Sequence, residues 1–237
     1  MFDLVFEAGY IEEKEGCPFE KKSVPLRDKL LKCKALEEKK YCCGVFLDVA
    51  QAFDKVWHKG LLIKLREQLP YTFRCALLES YLTDRQFRVL HEEPITEWKD
   101  ISARIPQGSV LGPILYLLYT ADLPNDDNIT LAMFTDDTAI LSTRNSQLTA
   151  TDNLQRSIDN IFAWTRRWEI KINGDKSVHV NYTLRKTENI QIVLNQSPIP
   201  QKDSAKYLGM HLDSRLNWKH HVCQKKIQIK DKMRKLY

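Results

Sequence analysis

Two adjacent aspartates, Asp136 and Asp137, constrain the fold more than any other feature of the sequence. They lie in LAMFTDDTAILS (residues 131–142), between two apolar segments typical of buried strands. Such a pair fits a simple hairpin turn, since short acidic side chains tolerate unusual backbone angles. It equally fits a shared cation, because Mg²⁺ takes one or two carboxylates together with substrate phosphates. The second interpretation predicts a third acid elsewhere in the chain.

Asp48 is the candidate for that third acid. It lies near the end of the apolar, strand-like segment CCGVFLDV, where a sheet would present a carboxylate at its edge. If this strand lies beside the hairpin, the three acids form a cluster able to hold two divalent ions about 4 Å apart. Asp48 is also a suitable cap for a following helix, and both interpretations stay open.

The composition sets limits on the whole molecule. With 237 residues, 43% of them hydrophobic, the chain can bury a core as one large domain or two small ones. It has no apolar run of about 18 residues and no signal-peptide pattern, which predicts a soluble intracellular protein, cytoplasmic or nuclear, with no membrane role. The six cysteines lack C-x-x-C spacing, so reduced thiols are expected. A net charge of +5 fits a polyanionic partner without requiring one, and no oligomeric state is indicated.

Alternating strand-like and helix-like segments predict an α+β fold, an antiparallel sheet with helices packed on one face. Apolar spacing predicts a helix from about Phe53 to Leu69 and an amphipathic helix from Ser146 to Trp168. EIKING and VHVNYTL are predicted to be two strands joined by a turn at Gly174. Further strands are expected in IQIVLN and AKYLGMHL, followed by a basic helix at the end of the sequence.

Five segments, in order, resemble the reverse transcriptase of jockey-like non-LTR retrotransposons. They are GVFLDVAQAFDKVWHKGLLIKL, IPQGSVLGPILYLLYTADLP, FTDDTAILS, INGDKS and AKYLGMHLDSRLNWKHH, which together span roughly residues 41–225. The resemblance implies a reverse-transcriptase palm with partial fingers and a truncated thumb. It divides the chain into a poorly matched segment 1–40, a palm 41–190, and primer-grip-like strands with the start of a thumb at 191–237.

The resemblance also implies a reaction and a set of reacting groups. The family adds dNTPs to the 3′ end of a DNA primer on an RNA template, using two Mg²⁺ ions, with Mn²⁺ as a substitute. Carried over by motif, Asp48 and Asp136 hold the metals, and Asp137 is the adjacent acid of the metal site. Lys176, in NGDKS, matches the lysine that protonates the pyrophosphate leaving group. Taken without the family, Lys176 would be an ordinary surface lysine.

Other matches concern binding. Phe53 matches the aromatic gate that excludes a ribose 2′-OH, although its spacing equally suits a core position on a helix starting there. Gln107 and Gly108 match the turn that contacts the template and the incoming nucleotide; alternatively they begin a helix. The hairpin that grips the primer corresponds to Tyr207, Leu208 and Gly209, which would also serve as a packed strand.

The sequence departs from the family at several positions. Thr135 replaces alanine, Gly174 stands where proline or alanine is common, and Arg104 replaces a glycine. Arg104 would be strained if its backbone needs a positive φ. Residues 14–40 lack the basic fingers segments that clamp a triphosphate.

Two alternatives to a polymerase remain. The first is an inactive nucleic-acid-binding remnant that uses its terminal helix, with basic residues Lys225, Lys226, Lys230, Lys232, Arg234 and Lys235. The second is a metal-dependent nuclease or nucleotidyl cyclase, which would explain paired acids but not IPQGSVLGP or YLGMHLD.

Overall fold

A computed structural model describes residues 34–49, 52–68, 73–89, 97–101, 103–105, 111–134 and 137–234. The chain divides into two compact units. Unit 1 draws on Met1–Asp48, Pro124–Phe162 and Asn173–Tyr237, and unit 2 on Val49–Leu123 and Ala163–Ile172. These units interleave along the sequence, and the boundaries predicted near residues 40 and 190 stay predictions.

The helices are α1 Lys34–Glu37, α2 His58–Gln68, α3 Phe73–Leu82, α4 Leu111–Thr120, α5 Gln147–Arg167 and α6 Lys219–Arg234. The longer strands are β1 Tyr41–Val49, β4 Thr130–Phe134, β5 Asp137–Arg144 and β6 Ile172–Tyr182. Shorter strands are β2 Gln86–Phe87, β3 Lys99–Asp100, β7 Val193–Leu194, β8 Ser197–Pro198, β9 Ser204–Tyr207 and β10 Met210–Asp213.

Unit 1 is organised by a four-stranded sheet with strand order β4-β5-β1-β6. Strand β5 pairs antiparallel with both β4 and β1. Strand β6 also runs antiparallel to β1, because Thr183 contacts Lys40 at one end of the pair and Ser177 contacts Asp48 at the other. The central strand β1 is buried from Cys42 to Leu47, as expected of an apolar strand between two layers.

Different elements pack on the two faces of this sheet. On one face, Cys43 Sγ lies 3.8 Å from Thr151 Oγ1 of the amphipathic helix α5, whose Leu154 and Ile158 are fully buried. On the other, Phe46 of β1 belongs to the apolar cluster that includes residues of the β9–β10 hairpin, and its ring centroid lies 5.9 Å from that of Tyr207. The predicted antiparallel sheet with a helical layer on one face is confirmed.

Unit 2 is built around a buried lysine. The amine of Lys64, on α2, donates hydrogen bonds to the carbonyl oxygen of Tyr119 and to Asp122, and lies 3.8 Å from the ring centroid of Trp168. The ring of Trp164 stacks near the same amine. This contact joins α2 to the end of α4 and to the segment Ala163–Ile172 within the unit.

Two predicted elements are wrong in their bounds. The helix predicted from Phe53 begins only at His58, because the carbonyls of Phe53 and Val56 accept hydrogen bonds from the amides of Ile105 and Arg104 and are not used in a helix. The turn predicted at Gly174 does not exist, since β6 continues through it without interruption. The amphipathic helix predicted from Ser146 is confirmed as α5.

Candidate active site

The site begins with a cross-strand pair of acids. Asp48, on β1, lies directly opposite Asp137, the first residue of β5. Directly paired residues of antiparallel strands project from the same face of the sheet, with Cβ atoms about 5 Å apart. The sheet therefore brings together the two acids that the sequence places 89 positions apart, as the third-acid prediction requires.

A pocket of about 420 Å³ lies over this pair, on the face covered by the β9–β10 hairpin. Its lining includes both carboxylates and two lysines, Lys176 of β6 and Lys206 of β9. Because side chains alternate along a strand, Lys176 and Val178 share one face of β6, and both line the pocket. Asp48, Asp137 and Lys176 thus share one cleft of unit 1, a charge pattern suited to metal ions and phosphates.

The backbone of Asp48 is anchored to the strand that carries Lys176. Its amide donates to Ser177 Oγ at 3.2 Å, and that hydroxyl in turn donates to the carbonyl oxygen of Asn173 at 2.7 Å. Ser177 is fully buried. This chain of hydrogen bonds holds the end of β1 against β6, so Ser177 fixes the spacing between Asp48 and Lys176.

Asp137 is connected to the hairpin above it. Its Oδ2 accepts a hydrogen bond from the amide of Leu208 at 3.2 Å. The neighbouring phenol of Tyr207 is buried, and that burial, followed by the negative charge of Asp137, raises the Tyr207 pKa above its usual range. The phenol therefore stays protonated and neutral beside the acids.

The hairpin that matches the primer grip turns on two residues with positive φ. Tyr207 pairs with Met210, which leaves a two-residue loop of Leu208 (φ 47°) and Gly209 (φ 73°). Positive φ at both loop residues is typical of a type I′ turn, which favours asparagine or glycine. Gly209 meets this requirement, whereas Leu208 adopts a conformation that is costly for a branched side chain.

The donor set fits a divalent cation. Two carboxylates facing a polar cleft supply the hard oxygen ligands that Mg²⁺ prefers, with substrate phosphates and water completing its shell. Among the described residues, three or more side chains of histidine, cysteine, aspartate or glutamate do not come together as a metal site. Asp136, the other acid predicted to bind metal, lies outside the described residues, as do Gln107, Gly108 and Thr135.

Two further predicted positions belong to unit 2. Phe53 lies in a half-buried turn, with its ring centroid 5.2 Å from that of Tyr116. Arg104 has a φ of 98°, which meets the condition under which replacing a glycine would strain the backbone. Its side chain pairs with Asp54 at 3.0 Å and its carbonyl accepts a hydrogen bond from His58 Nε2.

Sequence reasoning missed one residue that shapes the site, Ser177. Ser177 follows Lys176 directly, but its partner Asp48 is 129 positions away, and that contact becomes visible only in the folded sheet.

Comparison with known proteins supports this assignment of the fold and family. Residues 11–212 match the family model described as reverse transcriptase (RNA-dependent DNA polymerase). The chain is 38% identical over 208 residues to a probable RNA-directed DNA polymerase from transposon X-element of Drosophila melanogaster, covering 86% of this chain and 23% of that protein. It is 36% identical over 196 residues to the RNA-directed DNA polymerase from mobile element jockey of the same species, covering 79% and 21%. The chain therefore spans less than a quarter of the length of these relatives.

Solved structures agree on the fold. Apo telomerase from Candida tropicalis, truncated from its C-terminal domain, superposes with a TM-score of 0.54 at 14% identity, covering 79% of this chain and 36% of that one. Telomerase from Candida albicans, in complex with a TWJ fragment of telomeric RNA, gives 0.52 at 15% identity, with coverages of 80% and 32%. At these identities the likeness concerns the fold alone. From the family match and the identity to its relatives, the chain belongs to the reverse transcriptase (RNA-dependent DNA polymerase) family, as its resemblance to the jockey-like members predicted.

Proposed function

We propose that this chain contains the palm of an RNA-directed DNA polymerase that adds dNTPs to the 3′ end of a DNA primer on an RNA template. The observation that carries the proposal is the pairing of Asp48 with Asp137 in a pocket that Lys176 also lines. The family match extends over the same strands. A protein with these substrates would act inside the cell, in the cytoplasm or the nucleus. No described helix is long and apolar enough to cross a membrane.

Two Mg²⁺ ions, or Mn²⁺ in their place, are the proposed cofactors. Asp48 and Asp136 would hold them, with Asp137 as the adjacent acid. When bound, such ions activate the attacking primer hydroxyl and stabilise the charge of the leaving pyrophosphate. The protein contributes preorganisation: paired strands set the spacing of Asp48 and Asp137, and the Ser177 hydrogen bonds keep the end of β1 in place.

Lys176 is the proposed general acid for the leaving pyrophosphate. It lines the same pocket as both described acids, and it extends from β6, a strand of the central sheet. An ammonium group in this position can donate a proton to a phosphate oxygen as the bond to the leaving group breaks.

The remaining family positions have proposed binding roles. Phe53 would exclude nucleotides that carry a 2′-OH, and its contact with Tyr116 would hold the ring in place. Gln107 and Gly108 would contact the template and the incoming nucleotide. The hairpin residues Tyr207, Leu208 and Gly209 would hold the primer.

Primer extension tests this proposal. The purified 237-residue chain would be incubated with an RNA template, an annealed DNA primer, dNTPs and Mg²⁺, beside the variant Asp136→Asn. Extension by the wild type and none by the variant is the expected result. Extension that is equal in both would contradict the proposed role of Asp136 in holding the metal ions.

A second candidate, nucleic-acid binding without catalysis, is favoured by α6. None of the 16 residues of this helix is buried. Its exposed basic residues are Lys219, Lys225, Lys226, Lys230, Lys232 and Arg234. Such a helix should bind phosphates with an affinity that falls steeply with salt. RNA binding that survives Asp136→Asn, with no extension by either protein, would establish this alternative in place of the polymerase.

A further inference from the structure

A hydrogen bond connects Asp137 to Leu208 in the turn of the β9–β10 hairpin, a contact separate from the pairing of Asp137 with Asp48. Asp137 Oδ2 lies 3.2 Å from the Leu208 amide nitrogen, across 71 positions of sequence. The contact links the first residue of β5, in the central sheet, to the turn of the β9–β10 hairpin. Both elements belong to unit 1.

The turn that receives this hydrogen bond is strained. Leu208 has a φ of 47° and its side chain is 40% exposed, so burial of its side chain does not explain why a leucine holds this conformation. The left-handed region is unfavourable for a residue with a branched side chain, because its Cβ atom crowds the following carbonyl oxygen. Such strain persists where neighbouring contacts determine the conformation, and the Asp137 carboxylate supplies a charge-assisted contact of this kind.

We propose that Asp137 is a positioning residue for the hairpin: its carboxylate orients the turn at Leu208 and Gly209 toward the pocket and thereby sets the position of the bound primer terminus. The effect on the primer terminus rests on the proposed polymerase function. The contact between Asp137 and the turn does not depend on that function.

Two substitutions at Asp137 distinguish the loss of the hydrogen bond from the loss of the negative charge. Asp137→Asn keeps an oxygen that can accept the Leu208 hydrogen bond, whereas Asp137→Ala removes it. Amide hydrogen exchange measured by NMR should show the Leu208 amide protected in the wild type and in Asp137→Asn, and exchanging about five- to tenfold faster in Asp137→Ala. An exchange rate of the Leu208 amide that is equal in the wild type and Asp137→Ala would overturn the proposal. Equal rates in Asp137→Asn and Asp137→Ala would also overturn it.

A functional readout follows from the same variants. The Kd for primer–template, measured by fluorescence anisotropy without divalent ions, should rise severalfold in Asp137→Ala, and Asp137→Asn, which keeps the hydrogen bond, should bind more tightly than Asp137→Ala. Adding Leu208→Asn to Asp137→Ala should lower the Kd again, because asparagine favours the turn conformation without outside support. A Kd that Leu208→Asn leaves unchanged, or that is equal in the Asn and Ala variants, would contradict the proposal. A wild-type chain that does not extend primers would refute the proposed function, while the exchange experiment would still decide the role of Asp137.

Discussion

Asp48 and Asp137 face each other across the β1–β5 pair, one at the end of a buried strand and the other at the start of its neighbour. Both side chains line the pocket that contains Lys176. Two carboxylates on adjacent strands repel each other unless a cation lies between them. Divalent ions bound in this cleft would offset the repulsion between the two carboxylates.

Divalent-ion binding should depend on Asp48. In a titration with Mn²⁺ followed by electron paramagnetic resonance, the variant Asp48→Asn should bind the ion about tenfold more weakly than the wild type, because the cleft loses one anionic ligand. Asp152→Asn is a matched control, since Asp152 is an exposed acid on α5. Unchanged affinity in Asp48→Asn would place the metal elsewhere.

Lys176 should matter to the chemical step. Replacing it with methionine should lower the single-turnover rate of nucleotide addition by about 10²–10⁴-fold, the usual contribution of a positioned general acid. Lys202→Met serves as the control, because Lys202 is an exposed lysine of the same unit. If both variants keep the wild-type rate, Lys176 is an ordinary surface residue.

Arg104 should report backbone strain in unit 2. With a φ of 98°, glycine is the residue best suited to this position. Arg104→Gly and Arg104→Ala both lose the exposed ion pair with Asp54. The difference between their free energies of unfolding therefore measures the cost of the positive φ. We expect Arg104→Gly to have the higher free energy of unfolding by about 1 kcal/mol in urea titrations. An alanine variant that is equally stable would show that the positive φ carries no cost.

His179 should make the protein sensitive to acid. This residue of β6 is fully buried, and burial lowers its pKa to about 4, compared with about 6.5 in an unfolded chain. Between these values the unfolded state binds the extra proton, so stability is present above about pH 6.5 and is lost as the pH falls toward 4. From pH 7.5 to pH 5 the loss from this group should be about 2 kcal/mol.

Urea unfolding at these two pH values would measure that loss. His179→Leu should reduce the difference between them by roughly the same 2 kcal/mol, whereas His220→Asn, at an exposed position of α6, should not. An equal pH dependence in the wild type and His179→Leu would mean that other groups govern the acid response.

Local patterns in the sequence were sufficient to predict the parts of the site that lie within single segments. The strand ending at Asp48, the acidic hairpin and the amphipathic helix α5 each follow from apolar spacing over a short stretch. Comparison with the family pattern also identified Arg104 as a replacement of glycine that would be strained at a positive φ, and the structure gives this residue a φ of 98°.

Contacts between segments far apart in the chain could not be predicted from local sequence patterns. The strand order β4-β5-β1-β6 and the contact of Asp137 with Leu208 join segments far apart in the chain, and no local periodicity encodes them. Gly174 misled the prediction because glycine often marks a turn. In the folded unit it lies within β6, where a Cβ atom would meet Leu194 at an ordinary 3.8 Å.

The most direct test of the account is the rate at which the chain adds a single dNTP to a primer annealed to RNA, measured under single-turnover conditions for the wild type, Asp48→Asn and the control Asp152→Asn. If the pocket over β1 and β5 is the reaction centre, Asp48→Asn should be slower by about a thousandfold or more, while Asp152→Asn keeps the wild-type rate. Nucleotide addition by Asp48→Asn at the wild-type rate would contradict the account.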